Sequence, residues 1–263
     1  MYFTKMHGLG NDYLYVFGDV PENIEELSIK LSERHTGAGS DGMIYITPSD
    51  KADFGMRIFN ADGSEAKMCG NGIRCVGKYV YDKGYTDKKK LSIETQSGIK
   101  YLDLAVAGGK VIAVSVDMGQ AEVSNDMSLC VDNKSVICTP VSVGNPHAVI
   151  FCEDAEAIPL EKLGSRIEKH EKFPGGVNVE FVSKIGENQL RMRVWERGSG
   201  ITMACGTGAC ASVAAAVSKG LCDYDTPVSV TLDGGVLEIE ISRDFGVIMR
   251  GPAEFVYEGD TIC

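Results

Sequence analysis

The chain has 263 residues, enough for one large domain or two modest ones, and a formal net charge of −11. That charge argues against a nucleic-acid surface and against an anionic membrane as partner. Its nine cysteines, an odd number with no C-x-x-C pair, argue against a disulfide framework and fit a reducing cytosol.

The first residues, Met1 to Gly8, lack a basic segment followed by an apolar one, so no secretory signal is expected. No apolar run approaches the roughly 18 residues a membrane span needs. A cytoplasmic protein is therefore expected. Ile24, Leu27 and Leu31 recur at i, i+3 and i+7 and predict a helix. Met56-Arg57-Ile58-Phe59 alternates like a half-buried strand. Cys69-Gly70-Asn71-Gly72 then opens a second helix, with Gly84 placed to end it. Leu91–Thr95 and Val111–Val114 predict strands. Further on, Leu160, Leu163 and Ile167 predict a helix, and Arg191–Trp195 a strand. After Cys205-Gly206-Thr207-Gly208 comes Ala209–Val217, apolar on nearly every side, so this helix must be enclosed. Gly220 ends it, and Val228–Leu232 and Leu237–Ile241 predict strands.

The chain is thus written twice. Met56 precedes Cys69 by the same 13 residues that separate Met192 from Cys205, and the copies lie 136 residues apart. Lys83-Gly84 matches Lys219-Gly220 and Gly98 matches Gly234, while Gly10-Asn11 matches Gly144-Asn145 at a slipped offset of 134. The predicted fold is α/β of the α+β type, in two similar halves. Each half is a mostly antiparallel or mixed sheet wrapped around a central helix. The predicted halves are residues 1–115, with 252–263 returning to them, and residues 116–251. A pseudo-twofold axis would bring equivalent loops face to face, so the active site is expected in a cleft lined by both Cys-Gly-x-Gly loops.

A helix N-terminus offers unpaired N–H groups and partial positive charge, which favour a carboxylate. The same field lowers a cysteine's pKa. Two thiols flanking one carboxylate site can remove a proton from one face of an α-carbon and return one to the other. The configuration then inverts without pyridoxal or a metal. One cysteine must start as thiolate and the other as thiol, and the pair titrates as a unit.

The chain resembles the diaminopimelate epimerase family. The matching stretches are Lys5–Asp12, Ile58–Glu65, Met68–Cys75, Gly144–His147, Val177–Val179, and Glu196-Arg197-Gly198 leading to Ala204–Ala209. The resemblance implies conversion of LL-diaminopimelate to the meso isomer, for lysine and peptidoglycan synthesis, by a cytoplasmic homodimer without cofactor or metal. It implies Cys69 and Cys205 as the acid/base pair, with His147 and Glu196 assisting their ionisation. Backbone amides of Gly70, Asn71, Gly206 and Thr207 would hold the reacting carboxylate. Asn11, Asn60, Asn145, Asn178, Glu196 and Arg197 would contact the substrate. Two positions depart from the pattern: Gly42 follows Asp41 where some relatives carry a substrate-side glutamine, and Ile201 stands where a polar residue is frequent.

Other residues read more plainly. Cys75 and Cys210 fall inside helices and read as core, His7, His35 and His170 as structural or solvated, and Arg74 as helix-surface packing or a local ion pair in preference to a ligand. Two other functions compete. A proline or hydroxyproline racemase shares the two-cysteine plan, but that resemblance calls for histidine at Asn71 and no Glu196-Arg197 pair. A non-catalytic amino-acid-binding module would use Cys69 and Cys205 as a redox pair.

Overall fold

The computed structural model describes residues 1–261; Cys263, and with it the very end of the segment 252–263, lies outside the described residues. The elements in chain order are β1 (Tyr2–Gly8), β2 (Asn11–Phe17), α1 (Ile24–Ser32), β3 (Gly42–Thr47), β4 (Phe54–Asn60) and β5 (Glu65–Ala66). They continue as α2 (Gly70–Asp82), β6 (Lys90–Thr95), β7 (Gly98–Ala107), β8 (Lys110–Gln120), β9 (Glu122–Val123), β10 (Met127–Val131) and β11 (Lys134–Ser142). Next are β12 (Pro146–Phe151), α3 (Leu160–Glu168), β13 (Asn178–Gly186), β14 (Gln189–Glu196), β15 (Gly200–Ile201) and α4 (Gly206–Ser218). The last are β16 (Val228–Leu232), β17 (Gly235–Ile241), β18 (Gly246–Gly251) and β19 (Glu254–Asp260).

The chain divides into two compact units, Met1–Asp117 with the segment from Gly251 onward, and Met118–Arg250. In the first unit the strands run side by side as β19, β1, β2, β3, β4, β6, β7, β8. In the second they run β10, β11, β12, β13, β14, β16, β17, β18. The short β5, β15 and β9 add to β4, β14 and β11. Parallel neighbours need a crossover connection, and they occur where a helix supplies one. α1 lies between the parallel β2 and β3, and α2 between β4 and β6. α3 and α4 do the same for β12/β13 and β14/β16.

The sequence difference between the helices explains their different burial. α1 and α3 carry one apolar stripe: Ile24 and Leu31, like Leu160 and Ile167, are buried, and their other faces carry charge. α2 and α4 are enclosed, with residues 70–80 buried in one and 208–217 in the other. α4 does this with alanines, so the surrounding strands approach closely; larger side chains there cost about 1–3 kcal/mol by overpacking. Gly84 and Gly220 follow these helices at φ 79° and 69°, the left-handed region where glycine is favoured.

Both cores are built from equivalent residues. Leu14, Ile24, Leu31, Met43 and Tyr45 pack together in the first unit. Ala148, Leu160, Ile167, Val179 and Phe181 do so in the second. Strand register accounts for the slipped offset near the start of each copy. Leu14 pairs with Met43, and Ala148 with Val179, so β12 repeats β2 at 134 residues while β13 repeats β3 at 136.

Candidate functional site

Both motif cysteines cap helices. Cys69 is the N-cap of α2 in extended backbone (φ −139°, ψ 114°), and its Sγ accepts from Gly72 N at 3.3 Å. Cys205 caps α4 in the same way (φ −114°, ψ 106°), accepting from Gly208 N at 3.3 Å. Gly70 and Gly206 are the first helical residues. Each sulfur therefore lies at the positive end of a helix, which favours thiolate and, beside it, an anionic ligand. Side chains close over the last glycine of each motif. A Cβ on Gly72 would stand 2.6 Å from Ile44 Cδ1, and one on Gly208 2.7 Å from Glu180 Oε1 and 3.2 Å from Cys205 Sγ.

In the first unit Asn11, Cys69 and Asn71 meet. Cys69 Sγ donates to Asn11 Oδ1 at 3.3 Å, and Asn71 Nδ2 donates to the same oxygen at 3.5 Å. Asn11 Nδ2 donates to Asp41 Oδ2 at 2.8 Å, which turns its oxygen toward the sulfur. Tyr13 is buried beside them. Burial first, then Cys69 and Asp41, push its phenol well above the usual range, so it stays protonated. Gly42 admits no side chain: a Cβ there would run into Phe59 O and stand 3.0 Å from Tyr13 Cε1. No glutamine contact can come from this position; the Tyr13 ring occupies the adjoining space. Asn60 lies opposite Gly42 in the β3–β4 register, and its Nδ2 donates to Ser64 Oγ at 3.1 Å.

Arg74 corrects an expectation. It does not pack on a helix surface but is fully buried. Its guanidinium donates to Gly70 O (3.2 Å), Asn71 Oδ1 (3.1 Å) and Pro252 O (3.1 Å), so it ties the Cys69 loop to the returning C-terminal segment. Cys75 and Cys210 are fully buried, and burial pushes the Cys75 thiol up to about 11.

The second unit gathers a longer chain of groups. Asn145 Nδ2 donates to Thr207 Oγ1 at 3.3 Å, and Cys205 Sγ lies 3.6 Å from that hydroxyl. Asn145 Oδ1 is 3.1 Å from His147 Nε2, and His147 Nδ1 is 2.7 Å from Glu180 Oε1. Burial first, then Glu196 and Glu180, raise the Cys205 thiol well above its ordinary value. Glu196 accepts from Thr202 Oγ1, next to the exposed Ile201. Asn178 is committed to backbone: Nδ2 donates to Pro146 O (3.1 Å) and Oδ1 accepts from Arg197 N (2.9 Å). The Arg197 guanidinium donates to Gly175 O at 3.1 Å. His7 and His170 each accept a backbone N–H within a turn, and His35 is exposed.

Duplication places these residues at equivalent positions: Cys69 with Cys205, Asn11 with Asn145, Asn60 with Glu196, Asn71 with Thr207. Three further positions differ. Tyr13 stands where the second unit has His147, Gly42 where it has Asn178, and Ile44 where it has Glu180. Glu180, Tyr13 and Asp41 were not singled out from the sequence. The signal for Glu180 is one acid between Val179 and Phe181-Val182.

A family model described as diaminopimelate epimerase matches residues 3–124 and 139–256. A diaminopimelate epimerase of Methanococcus maripaludis is 51% identical over 276 residues, covering 99% of each chain. One of Bacteroides thetaiotaomicron is 52% identical over 267 residues, covering 98% of this chain and 97% of its own. Among solved structures, a Bacillus anthracis phenazine biosynthesis protein of the PhzF family superposes with TM-score 0.80 at 14% identity, covering 100% of this chain and 99% of that one. A hydroxyproline epimerase from Agrobacterium vitis superposes with TM-score 0.74 at 16% identity, covering 98% and 91%. At such low identity these two show the shared fold alone.

Proposed function

Because the chain belongs to the diaminopimelate epimerase family, and so to the isomerases, we propose that it inverts one α-carbon of LL-diaminopimelate to give the meso isomer, for lysine and peptidoglycan synthesis. The observation that carries this reading is the repeated N-cap: each unit presents one sulfur bonded to the backbone N–H of the last glycine of its Cys-Gly-x-Gly loop at 3.3 Å. In this reading one thiolate removes the α-proton and the other thiol delivers a proton to the opposite face. The α-carboxylate binds at the amides of Gly70, Asn71, Gly206 and Thr207, which stabilise the developing carbanion; one such donor is worth roughly 2.7–4 kcal/mol elsewhere.

The environments differ enough to divide the roles. Burial and two carboxylates favour the Cys205 thiol, so in this reading it starts as the acid. Cys69 starts as the base. In the unliganded protein its S–H is bonded to Asn11 Oδ1, so its ionisation is coupled to the Asn11 amide turning toward the ligand.

The distal amino-acid end falls to Glu196 and Arg197, a carboxylate for an ammonium and a planar fork for a carboxylate. Arg197→Lys is expected to raise KM for diaminopimelate roughly tenfold, about 1.4 kcal/mol, with kcat nearly unchanged. Steady-state kinetics check this. A pH prediction follows from Cys205. A neighbouring carboxylate disfavours the thiolate, so Glu196→Gln lowers the thiol's pKa. The alkaline limb of the kcat profile is then expected to move to lower pH. An unmoved or alkaline-shifted limb would contradict the assignment.

The test of substrate class is proton exchange. Incubated in D2O, the purified protein is expected to place deuterium at Cα of diaminopimelate and not of proline. Exchange into proline favours the racemase reading, and exchange into neither favours a binding module.

A further inference from the structure

We infer that Glu180 is a positioning residue for His147, keeping a proton on Nδ1 so that Nε2 is the only ring nitrogen free to exchange one. The inference rests on the epimerase reading only in giving His147 a part in the reaction. The contact itself is direct: Oε1 lies 2.7 Å from Nδ1, and both side chains are fully buried. A carboxylate in such a place accepts and the ring nitrogen donates. The logic is that of a buried acid orienting a histidine so that its other nitrogen works.

Packing alone does not call for this acid. In the first unit the equivalent position is Ile44, lying under Gly72 as Glu180 lies under Gly208. The position equivalent to His147 is Tyr13, whose hydroxyl needs no counter-ion. One copy of the same fold therefore fills the site with an apolar side chain. The other keeps a carboxylate there, and its Oε2 has no hydrogen-bond partner among the described residues. An unsatisfied buried oxygen is costly, so what retains the group is the contact made by Oε1.

The opposite side of the ring completes the picture. Nε2 faces Asn145 Oδ1 at 3.1 Å, and the amide nitrogen of Asn145 is turned to Thr207. A ligand engaging Asn145 frees Nε2 for proton exchange, while Nδ1 stays bound to Glu180. The other titratable groups of this unit that bear on the pair are Cys205, on the same face of Gly208, and Glu196, which acts on that thiol.

Imidazole 15N spectra of the full chain test this, since only four histidines contribute. Assigned against His147→Asn, the unmodified protein is expected to carry a proton on His147 Nδ1. A neutral ring protonated only at Nε2 would overturn the proposal without any Glu180 variant, and whatever the enzyme's activity. In Glu180→Ile, the first unit's own solution, the ring is expected to lose its preference for the Nδ1 proton, with kcat down roughly 10–100-fold and KM little moved. Glu180→Asp is expected to keep part of that preference. An unchanged 15N tautomer pattern in folded Glu180→Ile would overturn the proposal.

Discussion

Cys69→Ala and Cys205→Ala are each expected to lower epimerisation of diaminopimelate by about 10³-fold or more, while leaving the fold intact. A positioned acid or base contributes roughly 10²–10⁴-fold, and neither thiol can stand in for the other if they serve opposite faces of one carbon. The double variant is expected to lose little beyond either single one, because residues acting as a unit are not additive. Ligand binding should survive better than turnover, since the carboxylate is held by backbone amides. Cys69 is only part-exposed and Cys205 buried, so truncating Cys205 also leaves a small cavity of modest cost. Turnover of either single variant near that of the unmodified protein would remove the two-thiol mechanism.

Gly42→Ala is expected to be among the most destabilising single-methyl additions in the chain. Its φ of 153° is strained for any other residue, and the new Cβ would meet Phe59 O and Asn60 Cα, both backbone. Backbone cannot swing aside as a flexible side chain can. Strain and overpacking together cost about 3 kcal/mol or more, roughly 6–12 °C in Tm for a chain of this size. The damage reaches the site, because Asn60 and Tyr13 border the same point. Thermal unfolding and KM measured on the same preparation check both effects. A Tm within about 2 °C of the unmodified protein would show that the β3–β4 pairing yields more easily than its geometry implies.

Much of this architecture was legible in the residues because it is written locally and twice. The Cys-Gly-x-Gly loops cap helices with the sulfur itself, a signal contained in four residues. The enclosed α4 follows from its having no polar face, and the stripes of α1 and α3 from i, i+3, i+7 spacing. Hidden features depend on strand register or on contacts distant in sequence. Arg74 reads as a surface residue until Pro252, 178 positions away, supplies a carbonyl that buries it. Glu180 reads as one acid in an apolar strand until the parallel β12–β13 pairing sets His147 beside it. The meaning of Gly42 appears only when Phe59 O and the Tyr13 ring are seen to close its space. Asn178 adds another: both polar ends of its amide also bond to backbone, at Pro146 O and Arg197 N, contacts its place in the sequence does not reveal.

The most direct measurement of the central claim follows label at early time in D2O. LL-diaminopimelate is supplied, and substrate and product are separated before a tenth of it has reacted. Two thiols serving opposite faces put solvent deuterium at the inverted carbon of nearly every meso molecule, while the remaining LL substrate keeps its protium. Product that retains the original proton, or LL substrate labelled as fast as product forms, would mean that one group handles both faces.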